Sequence, residues 1–145
     1  MIGLVQRVSE ASVSVNNEII GEIEQGMLVL LGVEKDDGPE QIEKLANKLC
    51  RYRIFSDSDG KMNLNVEQIG GKVLVVSQFT LVADTQKGNR PGFSRGATPE
   101  HGNAIYLQFI ESLRQKGIVV ETGQFGAEMK VALVNDGPAT FQFQV

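Results

Sequence analysis

Apolar and polar residues alternate along the start of the chain, as they do in strands that bury one face. Ile2–Val8, Ala11–Val15 and Glu18–Ile23 follow this pattern. Asn16-Asn17 separates the last two segments, and asparagine tolerates the positive φ that tight turns need, so a hairpin is predicted here. Met27–Val33 is apolar on both faces, which predicts a central strand.

Two later segments have helical periodicity. Asp37-Gly38-Pro39-Glu40 predicts a helix start, with Asp37 as the cap and Pro39 where its missing N–H costs nothing. Thr98-Pro99-Glu100 predicts a second start of the same kind, and Gly117 predicts the end of that helix. The predicted buried faces consist of Ile42, Leu45, Ala46 and Leu49 in the first helix and Ile105, Phe109 and Leu113 in the second.

The remaining apolar segments predict further strands. These are Lys72–Ser77, Ile118–Glu121, Met129–Val134 and Thr140–Val145. Asn135-Asp136-Gly137-Pro138 is predicted to interrupt the chain between the last two strands. About seven strands and two helices in this order predict an α+β fold. We expect a single domain over residues 1–145, with two main helices packed on a curved sheet that is mixed or mostly antiparallel.

Composition narrows the function classes only slightly. The chain has 41% hydrophobic and 22% charged residues, and no apolar run approaches the roughly 20 residues of a membrane span. Its start lacks the features of a signal peptide, and Cys50 is the single cysteine, so an internal disulfide is excluded. A cytoplasmic protein without membrane association is therefore expected.

Charge argues against broad binding to nucleic acids, because the formal net charge is −4. A local basic patch is still present: Lys87, Arg90 and Arg95 lie in a long loop between Asp84 and Thr98. Loops of this length without secondary structure are usually functional or disordered. His101 is the only histidine and no Cys/His cluster exists, so neither a metal site nor a cofactor is expected.

Polar residues appear abruptly where the strand Lys72–Ser77 ends, in Ser77-Gln78-Phe79-Thr80-Leu81. One interpretation is that Ser77 and Thr80 hydrogen-bond to neighbouring backbone groups at a strand end. The other is that this segment faces a substrate. A nucleophilic hydroxyl needs a base, and the sequence offers none near it, so an enzyme of this kind would rely on positioning and on backbone donors.

Two motifs resemble those of the D-aminoacyl-tRNA deacylase family: Ser77-Gln78-Phe79-Thr80-Leu81 and Asn135-Asp136-Gly137-Pro138-Ala139-Thr140. The likeness runs along nearly the whole chain. It includes Val5-Gln6-Arg7-Val8, Leu28–Val33, Arg53–Asp57, Lys61–Asn65, Arg90-Pro91 and Phe125–Met129. Two departures are small: Ala139 stands where the family more often has Val, and Gly92 where it has Ser.

The resemblance implies a homodimer that hydrolyses the ester between a D-amino acid, or glycine, and tRNA. It further implies that Gly137-Pro138 has a cis peptide bond and enters the active site of the partner subunit, facing Ser77–Thr80. Gly137 has no side chain and Pro138 no N–H, so the dipeptide can present bare carbonyls that leave no room for an L side chain. Without the resemblance, a simple turn would be the better interpretation.

Site roles follow from the resemblance residue by residue. Backbone N–H groups of Ser77, Gln78, Phe79 and Thr80 would bind the ester carbonyl as it gains charge. Thr80 is a possible nucleophile, but assistance by the substrate 2′-hydroxyl is favoured. Supporting roles fall to Phe125 and to Arg7, whose guanidinium is expected to tether the Gly137-Pro138 carbonyls. Lys87, Arg90 and Arg95 are candidate contacts for the tRNA backbone.

Two alternatives remain open from the sequence. An editing module of the same fold would remove an L-amino acid from tRNA. A non-catalytic protein would bind RNA or DNA without turnover.

Overall fold

The computed structural model describes residues 1–145. Eight strands and two α-helices form the chain, with a single 3₁₀ turn at Phe79–Val82. The strands are β1 (Ile2–Val15), β2 (Glu18–Ile23), β3 (Gly26–Gly32), β4 (Phe55–Ser56), β5 (Met62–Leu64), β6 (Lys72–Ser77), β7 (Val120–Thr122) and β8 (Lys130–Gln144). The helices are α1 (Pro39–Arg51) and α2 (Pro99–Gln115).

The main sheet has the order β2-β1-β3-β6-β7, and β8 lies along the other edge of β1. β1 pairs antiparallel with β2, β3 and β8, whereas β3–β6 and β6–β7 are parallel. The sheet is therefore mixed, and the predicted α+β class is confirmed. β4 and β5 form a separate two-stranded sheet.

The sheet curls until its ends approach each other. A Cβ atom on Gly21 of β2 would lie 2.5 Å from the carbonyl oxygen of Thr122 in β7, so only glycine fits there without a shift. The larger core cluster packs the sheet against both helices and includes Val29, Leu45 and Phe109. A smaller cluster, which includes Val13 and Leu74, fills the opposite face of the curled sheet.

Local sequence signals placed most elements correctly. Asn16 and Asn17 have φ of 50° and 65°, as the predicted hairpin requires. Thr98 caps α2 by accepting a hydrogen bond from the N–H of His101 at 3.2 Å. The buried residues of α1 are the four predicted: Ile42, Leu45, Ala46 and Leu49.

Two local predictions were wrong. Gly38, not Asp37, is the N-cap of α1, because the Asp37 carboxylate instead accepts from the Met1 ammonium at 2.8 Å and from the Glu34 N–H at 2.7 Å. No turn separates two strands at Asn135–Pro138, since β8 runs through this segment as a bulged strand paired with β1.

No helix in the structure is both long enough and apolar enough to span a membrane.

Candidate active site

A cleft of about 510 Å³ opens where β6 ends. Its walls come from the end of β6, the start of α2 and the segment before β8. It is lined by Leu31, Val33, Val76, Ser77, Gln78, Phe79, Ala97, Thr98, Pro99, Gly102, Phe125, Gly126, Ala127, Met129 and Val131. None of these side chains is ionisable, so chemistry in the cleft must come from neutral side chains, from the backbone or from the bound molecule itself.

The segment after β6 presents two free backbone donors. The Gln78 N–H donates to the Leu31 carbonyl at 2.7 Å, which extends the pairing of β6 with β3. Phe79 and Thr80 then begin the 3₁₀ turn, and their N–H groups donate to no protein acceptor. The first N–H groups of any helical turn lack a partner within that turn. These two are therefore available to a ligand beside the cleft.

The side chain of Thr80 has no base beside it. Its hydroxyl accepts a hydrogen bond from the Gln78 amide nitrogen. The His101 ring lies against the Asp37 carbonyl, with Nε2 and the oxygen 2.8 Å apart. The only histidine thus braces the start of α2 against the turn before α1 and does not activate Thr80.

Phe125 forms part of the cleft wall. Its ring lies 5.9 Å from that of Tyr106 and packs against Gly102, where an added Cβ atom would lie 3.2 Å from the ring. Burial raises the pKa of Tyr106 to about 12, so its hydroxyl stays protonated and donates to the Val75 carbonyl at 3.1 Å. These contacts hold the wall of the cleft to β6.

Gly137-Pro138 lies at the tip of the bulge in β8, exposed and with a cis peptide bond. Gln6 pairs with Thr140 and Val8 pairs with Asn135, so Arg7 alone stands opposite the four residues between them. The Asn135 amide nitrogen donates to the carbonyls of Arg7 and Ala139, at 3.0 and 3.1 Å. These bonds close the base of the bulge and leave the dipeptide exposed.

Arg7 holds the same bulge from the neighbouring strand. Its Nε donates to the Asp136 carbonyl at 2.6 Å and its Nη1 to the Ile54 carbonyl at 2.7 Å. The carbonyl it tethers is that of Asp136, so the expectation that Arg7 binds the carbonyls of Gly137-Pro138 was wrong by one residue. The two dipeptide carbonyls are left without this partner.

The dipeptide does not line the cleft of its own chain. In the sheet, Arg7 is level with Met27 of β3 and Val73 of β6, four residues before Ser77. The bulge is also three strands away from β6, because β1 and β3 lie between them. One chain therefore presents the two motifs at separate places.

The long loop carries the basic patch close to the cleft. Arg95 reaches the Val82 carbonyl at 3.5 Å, which ties the loop to the 3₁₀ turn. Lys87 and Arg90 are exposed and form no salt bridge. Phe79 is 68% exposed and packs against Phe93, which is 40% exposed, with ring centroids 5.2 Å apart. Phe79 is thus not a core residue.

The sequence patterns assigned no role to Phe93 or Gly102, and Asn135 was recognised only as part of a family motif. Each acts through a partner distant in the sequence or through a turn, so periodicity gives no signal for them. For Gly102 the hint was a glycine inside the amphipathic pattern of α2, because such a glycine usually marks a close approach.

Comparison with known proteins identifies the family of this chain. A family model described as D-Tyr-tRNA(Tyr) deacylase matches residues 4–144. This chain belongs to that family. Relatives named D-aminoacyl-tRNA deacylase are 76% identical in Alteromonas mediterranea and 62% identical in Shewanella frigidimarina, each over 100% of both chains.

Two solved structures share the fold of this chain. One named "c-Myc DNA Unwinding Element Binding Protein" is 38% identical, has a TM-score of 0.95, and covers 100% of this chain and 99% of its own. Another, described as a probable eukaryotic D-amino acid tRNA deacylase, has a TM-score of 0.87 over 99% and 98% of the two chains. At 18% identity, this second likeness shows the shared fold alone.

Proposed function

We propose that this protein is a D-aminoacyl-tRNA deacylase, which hydrolyses the ester of D-aminoacyl-tRNA and releases the free amino acid and tRNA. The observation that carries the proposal is the pair of unpartnered N–H groups of Phe79 and Thr80 beside a cleft without ionisable side chains. Donors of this kind stabilise the oxyanion of ester hydrolysis. Membership of the family supplies the class of substrate.

In this mechanism a water molecule attacks the ester carbonyl of the bound substrate. The carbonyl oxygen gains negative charge and accepts hydrogen bonds from the Phe79 and Thr80 N–H groups. The neighbouring 2′-hydroxyl of the terminal adenosine orients the water and relays its proton. The bond to the 3′-oxygen then breaks, and that oxygen leaves with the proton as the free hydroxyl.

Selection between mirror images is assigned to Gly137-Pro138 of the partner subunit in a homodimer. Its main-chain carbonyls face Ser77–Thr80 and occupy the space an L side chain would need. A D-amino acid directs its side chain elsewhere, and glycine has none, so mischarged glycyl-tRNA is also a substrate. The separation of the two motifs within one chain supports an arrangement that uses two subunits.

Other residues position these groups. Arg7 and Asn135 hold the base of the bulge, and so fix the direction of the dipeptide. Gln78 fixes the Thr80 hydroxyl at the end of β6. Phe125 provides an apolar wall for the bound end of the substrate. Lys87, Arg90 and Arg95 contact the tRNA backbone. A cytoplasmic location belongs to this proposal.

The direct test uses D-Tyr-tRNA and L-Tyr-tRNA with the wild-type protein. Free tyrosine is expected from D-Tyr-tRNA, while L-Tyr-tRNA survives the same incubation. Equal rates on both esters would contradict selection by exclusion, and preference for the L ester would indicate an L-editing module. Binding of tRNA with no release of tyrosine from either ester would indicate a non-catalytic nucleic-acid-binding protein.

Thr80→Ala separates the two chemical routes, because it removes the hydroxyl and keeps the N–H. Most of the wild-type activity on D-Tyr-tRNA is expected to remain, while a tRNA ending in 2′-deoxyadenosine is expected to be inert. The measurement is the single-turnover rate, with thermal melting as the control for folding. A folded Thr80→Ala protein at background activity would instead assign Thr80 as the nucleophile.

A further inference from the structure

Two exposed aromatic rings form a continuous surface that leads out of the cleft. Phe79 lines the cleft, and Phe93 packs against the Phe79 ring without lining the cleft itself. The rings are tilted by 46°. Neighbouring exposed apolar rings are typical of interaction sites, and Phe93 itself belongs to the basic loop.

The backbone holds Phe93 firmly although it lies in a loop. Gly92 and Asp84 exchange two hydrogen bonds, at 2.7 and 3.0 Å. Just beyond Phe93, the Lys35 N–H donates to the Arg95 carbonyl at 3.0 Å and the Ala97 N–H to the Val33 carbonyl at 3.1 Å. The loop is thus anchored on both sides of the ring, and the surface is formed before any ligand binds.

Charge indicates which ligand would cover this surface. Between Asp84 and Thr98 the chain has three cationic side chains and a single carboxylate, although the whole protein has a net charge of −4. Exposed aromatic rings beside cations are the usual platform for unpaired nucleotides, because every base has a face that can stack and every phosphate is negative.

We propose that Phe93, together with Phe79, is a stacking platform for the unpaired nucleotide next to the esterified one at the 3′ end of the tRNA. This rests on the proposed deacylase function and names a further contact for the same substrate. The platform reads no base identity, since stacking tolerates any base. Arg90 and Arg95 neutralise the phosphates on either side of the stacked nucleotide.

The first test measures binding and needs no turnover. An uncharged acceptor-stem hairpin carries 2-aminopurine in place of the nucleotide before the terminal adenosine. Stacking on the platform is expected to quench its fluorescence in the wild-type complex, and Phe93→Ala is expected to abolish the quenching. Quenching that persists in Phe93→Ala at saturation would overturn the proposal.

The second test measures KM for D-Tyr-tRNA. Phe93→Ala is expected to raise KM between about fivefold and about a hundredfold, the usual range for one stacked base. The rise should shrink towards none with D-tyrosyl-adenosine, which lacks the stacked nucleotide. Leu107→Ala removes another exposed apolar side chain, from α2, and serves as the matched control.

Two conservative variants distinguish stacking from packing. Phe93→Trp is expected to restore KM, whereas Phe93→Leu keeps an apolar side chain and is expected to behave as Phe93→Ala. Normal KM in Phe93→Leu would overturn the proposal in favour of simple packing. A change of oligomeric state in Phe93→Ala would overturn it in favour of an interface between copies. Failure of the wild type to release tyrosine would refute the deacylase proposal, and the fluorescence result would still be decisive here.

Discussion

Phe79→Pro is expected to lower kcat for D-Tyr-tRNA about 100- to 1,000-fold below that of Phe79→Ala, the usual loss for one oxyanion donor. Both variants lose the aromatic ring, and only proline also removes the N–H. That N–H has no protein acceptor, so proline breaks no internal hydrogen bond. The comparison therefore isolates one backbone donor in the reaction.

The geometry around Phe79 accommodates proline. Phe79 is the first residue of the 3₁₀ turn, where proline is well tolerated. The preceding Gln78 has φ of −143° and ψ of 81°, outside the helical region that a following proline disfavours. Single-turnover rates give the comparison, and equal melting temperatures establish that both variants fold. Equal rates for the two variants would contradict the oxyanion role of this N–H.

Gly137→Ala is expected to lower kcat/KM for D-Tyr-tRNA about 100-fold, the cost of a displacement near 1 Å at a reacting centre. A Cβ atom at this position would lie 2.4 Å from the Ala139 nitrogen and 2.5 Å from the Asn135 Oδ1. The bulge must therefore shift and give up the hydrogen bonds that aim the dipeptide. The measurement is the initial rate on D-Tyr-tRNA over a range of concentrations.

Gly38→Ala provides the matched control. It makes the same chemical change at the N-cap of α1, where nothing lies closer to the added atom than the Gln41 Oε1 at 3.9 Å. This variant is expected to keep the wild-type rate. If Gly137→Ala were as active as Gly38→Ala, the position of the main chain in the bulge would not affect the reaction of D-Tyr-tRNA.

Helix positions could be predicted from the sequence because the signals for them are local. The apolar spacing of α1 and the Thr98-Pro99 start of α2 lie within a few residues of the structure they specify. The assignment of Asp37 as a cap failed because its carboxylate binds the Met1 ammonium, 36 residues away. No local sequence pattern indicates that a group so distant in the sequence will bind this carboxylate.

The bulge in β8 was predicted as an interruption between two strands for a similar reason. Asn-Asp-Gly-Pro is typical of turns, and only pairing with β1 turns it into a strand that continues on both sides. The motif at Ser77–Thr80 could be recognised from its residues, but the free N–H groups depend on the 3₁₀ turn that follows β6. The distance between the two motifs in one chain follows from strand order, which the sequence leaves open.

The central claim is that one subunit supplies the N–H donors and its partner supplies the dipeptide. Co-expression of Phe79→Pro with Gly137→Ala, followed by purification through two different affinity tags, yields dimers that contain one copy of each. A site shared between subunits leaves one of the two sites intact, so about half of the wild-type activity on D-Tyr-tRNA is predicted. Activity no higher than that of the two single variants would contradict the account.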